Sequence, residues 1–245
     1  MLCDPSTQNL PPGLLPLACL NGQGWRVSAD KAGWINVQEQ AAGLTNTQVQ
    51  LQVEGGAWKG KMSFKATDYA AVDALDRMNG DQAAFLQAMT NQLGDWSAGQ
   101  PTLSMPADPF TVAVEAPIQK TFNDEKTVYI KPVLAGAVLQ NPFSAETREW
   151  PVNFPFKDNS SYVFQMPVPD GYTVAETPKD ATIVFGTNKD LRFQYRCSVA
   201  NNIITVTSKF QMNRLLFAAE EYAEIRRTYD LMVQKNQELI VLKKN

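Results

Sequence analysis

The side chain that moves most protons in enzymes is missing, because this sequence contains no histidine. A Cys–His or Ser–His nucleophile pair needs an imidazole to accept the proton. None can be assembled from this chain alone, and zinc held by histidine is excluded with it. Cys3, Cys19 and Cys197 lack the paired C-x-x-C spacing of a metal or redox site, and together they allow at most one disulfide. Cys197 lies in a strongly alternating run, so a buried free thiol is expected there.

The acids are no better placed for catalysis. Glu220–Glu221 and Asp124–Glu125 are adjacent in sequence, which gives a solvated face rather than two carboxyls meeting across a cleft. Asp108 and Asp124 are isolated loop acids without calcium-loop spacing. No phosphate-binding or dinucleotide-binding glycine motif occurs, so neither a cofactor nor a metal is expected. The aromatic side chains offer a second kind of chemistry. Trp58 alternates with lysines and faces a core. Trp34 and Trp96 lie near turn signals and are the candidates for an exposed platform stacking on a sugar or peptide. The competing expectation is burial, because large rings mostly bury themselves.

The elements that must position these residues are mainly strands. Over residues 48–66, Val49, Leu51 and Val53 alternate with glutamines, Gly55-Gly56 supplies a turn, and Trp58, Met62 and Phe64 alternate with lysines and a serine. That pattern predicts a half-buried hairpin. Near 68–93 the period changes to helical. Tyr69, Val72, Leu75 and Met78 follow a Thr67/Asp68 cap, and Asp81 caps a second helix carrying Phe85, Leu86, Met89 and Leu93, which gives a helix pair. Phe110, Val112 and Val114, then Val128 and Ile130, then Tyr162 and Phe164 mark further strands. Leu191–Val199, the turn Asn201-Asn202 and Ile204–Phe210 form a second hairpin. A long amphipathic helix is expected near 214–236, ending in a short strand at Leu239–Leu242. The fold class is therefore mainly β with some α, an antiparallel sandwich-like architecture. Both halves contain a hairpin followed by a helix.

With 245 residues, 44% hydrophobic and 19% charged, the chain has a globular composition and enough length for a real core. A net charge of −3, with both signs mixed along the chain, gives nothing to attract a polyanion, so no nucleic-acid partner is expected. No apolar run is long enough to insert in a membrane. The start, Met1-Leu2-Cys3-Asp4-Pro5, has no basic or apolar region of a signal peptide, and the chain reads as an excised segment. Prolines 5, 11, 12 and 16 make the first stretch an irregular connector. Its Leu14, Leu15, Leu17 and Leu20 are expected to pack against something, which the reading places outside the chain. Three regions result: a connector over 1–45, a hairpin–helix–strand half over 46–138, and a C-terminal antiparallel half over 139–245.

Several phrases in order resemble a known family. Leu2-Cys3-Asp4-Pro5-Ser6-Thr7, Pro12-Gly13-Leu14-Leu15-Pro16 and Cys19-Leu20-Asn21-Gly22-Gln23-Gly24 are similar to the segment that follows the transglutaminase-like, papain-fold core of large proteins from Bacteroides-type bacteria. Asn141-Pro142-Phe143, Arg148-Glu149-Trp150-Pro151-Val152, Pro169-Asp170-Gly171-Tyr172 and Ile240-Val241-Leu242-Lys243-Lys244 extend the resemblance along the chain. It implies a non-catalytic C-terminal module whose partner is the transglutaminase-like core of the parent chain, in the periplasm or at the cell surface. It also implies that Asp4 stands where the triad aspartate of such cores lies, although Pro5-Ser6 depart from the family's Leu-Asp-Ala-Thr pattern. The alternative for Asp4 is a turn-capping acid before proline. The alternative for the whole chain is an extracellular module binding carbohydrate or peptide.

Overall fold

The computed structural model describes residues 10–38, 41–106, 110–122 and 125–245. The two expected hairpins are its framework. The first is β3 (Gly43–Glu54) with β4 (Ala57–Thr67), turning through Gly55-Gly56 at φ of 58° and 73°. Glycine adopts that left-handed backbone without a Cβ penalty, and such a turn matches strand twist. Before it lie β1 (Gly22–Arg26) and β2 (Gly33–Val37), which pair with each other. The helix pair is α1 (Tyr69–Met78) and α2 (Gln82–Asn91). The Asp81 side chain caps α2 by accepting from the Ala84 N–H at 2.9 Å, as expected. Asp68 does not cap α1 through its side chain; it sits at φ 52°, and its carbonyl accepts from Ala71 and Val72.

Short β5 (Ser97–Ala98) and β6 (Thr102–Ser104) then lead to β7 (Thr111–Thr121) and β8 (Thr127–Ile130). The C-terminal half adds β9 (Val152–Asn153), β10 (Asp158–Pro167), β11 (Tyr172–Glu176) and β12 (Ala181–Phe185). The second hairpin is β13 (Leu191–Ala200) with β14 (Ile203–Met212), turning through Asn201-Asn202 at φ of 51° and 61°. The chain closes with β15 (Leu216–Phe217), α3 (Tyr222–Asn236) and β16 (Ile240–Lys244).

The hairpins join in one nine-stranded sheet of order β12-β13-β14-β10-β3-β4-β7-β5, with β6 also on β7. All its pairings are antiparallel except β10 with β3, where the two halves meet in parallel. Residues on one face of a sheet alternate along each strand, and here the inward row runs Tyr195, Ser208, Tyr162, Thr47, Phe64, Val114, all buried. Opposite this face lie α1, α2, α3 and a three-stranded sheet, β11-β16-β8, whose Val128, Ile130, Ile240 and Leu242 are buried in the same core. The architecture is mainly β and sandwich-like, with no closed barrel among the described residues.

Polar anchors fix the layers. The buried Tyr162 hydroxyl donates to the Pro132 carbonyl at 2.8 Å and accepts from the Leu134 N–H at 3.1 Å. Ser208 donates to Asn236 at 3.0 Å, and Asn236 donates to the Val138 carbonyl at 3.0 Å, which ties the end of α3 to the sheet.

Three expectations change. The long helix starts at Tyr222 rather than near 214, because Leu216-Phe217 pairs with β9 and Ala218 is extended. The Glu221 carboxylate accepts from the Ala218 N–H at 2.8 Å and pairs with Arg214, which fixes that corner. The connector carries a short 3-10 turn at Leu17–Cys19 and the β1–β2 ribbon, where glycines 22, 24 and 33 had hidden strand character. Its leucines also pack inward rather than outward. Leu20 is buried, and Leu10, Leu14, Leu15 and Leu17 lie against this chain's own core.

Candidate functional site

Helical spacing on α1 puts Ala70, Asp73 and Arg77 on one stripe, and the same spacing on α2 aligns Phe85 and Met89. These stripes roof a cleft of about 300 Å³. Its floor is the inward face of β3 and β10 at Thr45, Asp158 and Ser160, with Phe64 from β4. Phe156 and the 136–138 loop close its sides. Gly43 and Gly136 make this close approach feasible. A Cβ on Gly43 would lie 2.3 Å from the Phe156 ring, and one on Gly136 would meet Thr47.

Asp158 is the unusual member. Its strand neighbours on the same face are Ser160, Tyr162, Phe164 and Met166. Its carboxyl is pushed up to about 6, chiefly by burial, then by the Asp73 carboxylate, with Arg77 offsetting them. No described residue donates a hydrogen bond to it. Arg77 is already paired with Asp73 at 2.9 Å across one turn of α1. Asp76 is also raised, by burial first and by Asp73 second. From α3, burial raises the Tyr229 phenol and the Asp158 carboxyl adds to it. The cleft thus combines apolar walls with excess negative charge when Asp158 ionises.

A second feature is the β1–β2 ribbon. Trp25 and Trp34 face each other across it, ring centroids 5.4 Å apart and nearly perpendicular. They are 55% and 66% exposed. Asn21 ties the ribbon to the body by donating to the Phe154 and Pro155 carbonyls at 2.8 and 3.1 Å. A depression of about 370 Å³ separates the ribbon from the exposed Leu216 of β15.

The residues proposed from sequence are scattered. Trp34 is exposed as expected. Trp96 is only 4% exposed and so cannot be a platform residue; its ring turns inward to meet Phe164 edge-on at 6.3 Å. The turn signals around it described the backbone and not the direction of the side chain. Asp4, Cys3, Asp108 and Asp124 lie outside the described residues. Cys197 is free but half-buried rather than fully buried, and burial with the nearby Asp180 pushes its thiol up to about 11. At neutral pH it is a thiol and a poor nucleophile. Glu221 is occupied by Arg214 and a backbone amide, a structural role.

Asp158, Asp73 and Arg77 are not among the residues proposed from sequence. The signal for Asp158 was present. Carrying the Tyr162–Phe164 alternation two steps backward places Ser160 and Asp158 on the buried face.

No curated protein matches the chain. Among solved structures, one similar chain is described as a "putative protease" from Parabacteroides distasonis. The likeness has a TM-score of 0.41 at 11% identity and covers 49% of this chain. The present chain spans 24% of that protein's length. Residues 126–242, from just before β8 into β16, match the model of a family described as a domain of unknown function with solved-structure structure, DUF3858.

Proposed function

We propose that this chain is a non-catalytic, β-rich module that packs on and supports a papain-like, transglutaminase-type core in its parent protein. The observation that carries the reading is the β1–β2 ribbon. A two-stranded hairpin standing outside the main sheet is marginal in water, yet this one presents an exposed Trp25–Trp34 pair. Tryptophans at the centre of an interface are common sources of binding energy. The ribbon begins within the last of the phrases, Cys19–Gly24, that resemble the segment following such a core. The absence of histidine from the sequence accords with chemistry supplied by another domain. By the same resemblance the parent acts in the periplasm or at the cell surface. No helix among the described residues is long and apolar enough to cross a membrane.

The test is association of this chain with the separately produced transglutaminase-like domain encoded by the same gene, measured by calorimetry. Wild-type binding weakened about thirtyfold by Trp25→Ser with Trp34→Ser is the expected result. A parent gene without such a domain, or a wild-type pair that does not associate, ends the proposal.

The exposure of Trp34 also favours a second reading, a module binding a carbohydrate or peptide through that ring. Glycan- or peptide-array binding lost in Trp34→Ala would select it.

A further inference from the structure

We propose that the cleft beneath α1 and α2 binds an organic cation, an ammonium or guanidinium group on an apolar stem, with Asp158 as its counter-ion. Asp158 occupies an inward-facing place on β10, in register with Gly43 and next to Ser160 and Thr45. A carboxyl buried for structural reasons is normally held by amide or guanidinium donors. This one has none among the described residues, and the only nearby guanidinium, Arg77, is engaged with Asp73. The Ser160 and Thr45 hydroxyls beside it make no side-chain hydrogen bond with a described residue, and each has lone pairs to offer an N–H donor.

Charge selects the ligand's sign. The groups facing Asp158 are Asp73 and Arg77 from α1 and the neutral Tyr229 from α3. Asp73 and Arg77 cancel, which leaves the Asp158 charge to be matched, and an anion is repelled. The walls select the stem. Phe64, Phe85, Met89 and Phe156 offer apolar surface and ring faces, which favour an alkyl chain ending in a cation. At about 300 Å³ the cleft is at the small end of ligand pockets and suits a group of side-chain size. Because the folded Asp158 titrates near 6, cation binding strengthens as the pH rises through that value.

The experiment is a titration of the whole chain followed by amide NMR shifts at Gly136, Ala137 and Ser160. The probes are n-butylammonium chloride, ethylguanidinium chloride and, as a neutral isostere, 1-pentanol. At pH 7.5 the cations should give saturable shifts with Kd on the order of 1 mM. Binding should be about tenfold weaker near pH 5. Asp158→Asn should weaken it at least tenfold, and Arg77→Gln, which removes the competing positive charge, should strengthen it about twofold. Equal binding of 1-pentanol, unchanged binding by Asp158→Asn, or no saturable shift with either cation overturns the proposal. Nα-acetyl-lysine amide then separates the sources. Binding as tight as butylammonium indicates a lysine side chain of a partner, whereas binding of the free amine alone indicates a small molecule. The lining residues are distinct from the Trp25–Trp34 ribbon, so failure here leaves the docking proposal untouched.

Discussion

Asp158 stands in line with the buried Tyr162, Phe164 and Met166, at the half-buried end of their row where the cleft opens, and its ionisation must therefore show in the stability of the fold. Its folded pKa, about 6, lies above the ordinary value of 3.8. Between those values the folded chain holds a proton that the unfolded chain has released. Stability therefore falls as the pH rises through this window. A shift of this size has a ceiling of about 3 kcal/mol, and solvent within the cleft reduces it. Asp158→Asn is expected to be more stable than wild type at pH 7.5 by roughly 1–2 kcal/mol and equal to it near pH 4. Urea unfolding at both values checks this. The comparison must be variant against wild type, because Glu221 is lowered by its Arg214 hydrogen bond and acts in the opposite sense, losing its stabilisation as the pH falls. An unchanged gap between the two proteins at both pH values would remove the buried-carboxylate account. This residue was only partly legible in the sequence. Alternation gave the direction of its side chain, but the partners Asp73 and Arg77 approach from α1, some eighty residues earlier, and no local pattern announces that meeting.

Elements were more legible than sites where their signals are local. The hairpins β3–β4 and β13–β14 follow from alternation plus Gly55-Gly56 and Asn201-Asn202, and the helix pair follows from apolar spacing plus Asp81. The parallel contact of β3 with β10 was invisible, since it joins strands far apart in sequence and has no turn to mark it. The start of α3 was misplaced for a related reason. Leu216 and Phe217 lie inside the expected helix, but pairing with β9 claims them instead. Prolines 5, 11, 12 and 16 predict an irregular connector, while its leucines decide where it packs. Leu20 is in the core and four other leucines rest on it. Leu20→Ala is expected to cost about 2 kcal/mol, and removal of residues 1–20 should lower the melting temperature clearly. A truncated protein that melts like the full chain would make those leucines bystanders.

For the whole molecule, nearly all the buried apolar residues among those described join one cluster that draws on both halves of the chain, and the nine-stranded sheet crosses the midpoint without interruption. Such continuity predicts one cooperative unfolding transition, in which calorimetric and van't Hoff enthalpies agree. Two resolved transitions would instead set a boundary between the halves. The β10–β3 contact also bears on how this protein can be cut. The span 126–242 keeps β10 but leaves β3 behind. Produced by itself, that piece would present eight residues of bare strand edge along β10, from Asp158 to Gln165. Open edges of this kind recruit other chains, so the shorter fragment should self-associate where the longer chain, with β3 covering that edge, does not.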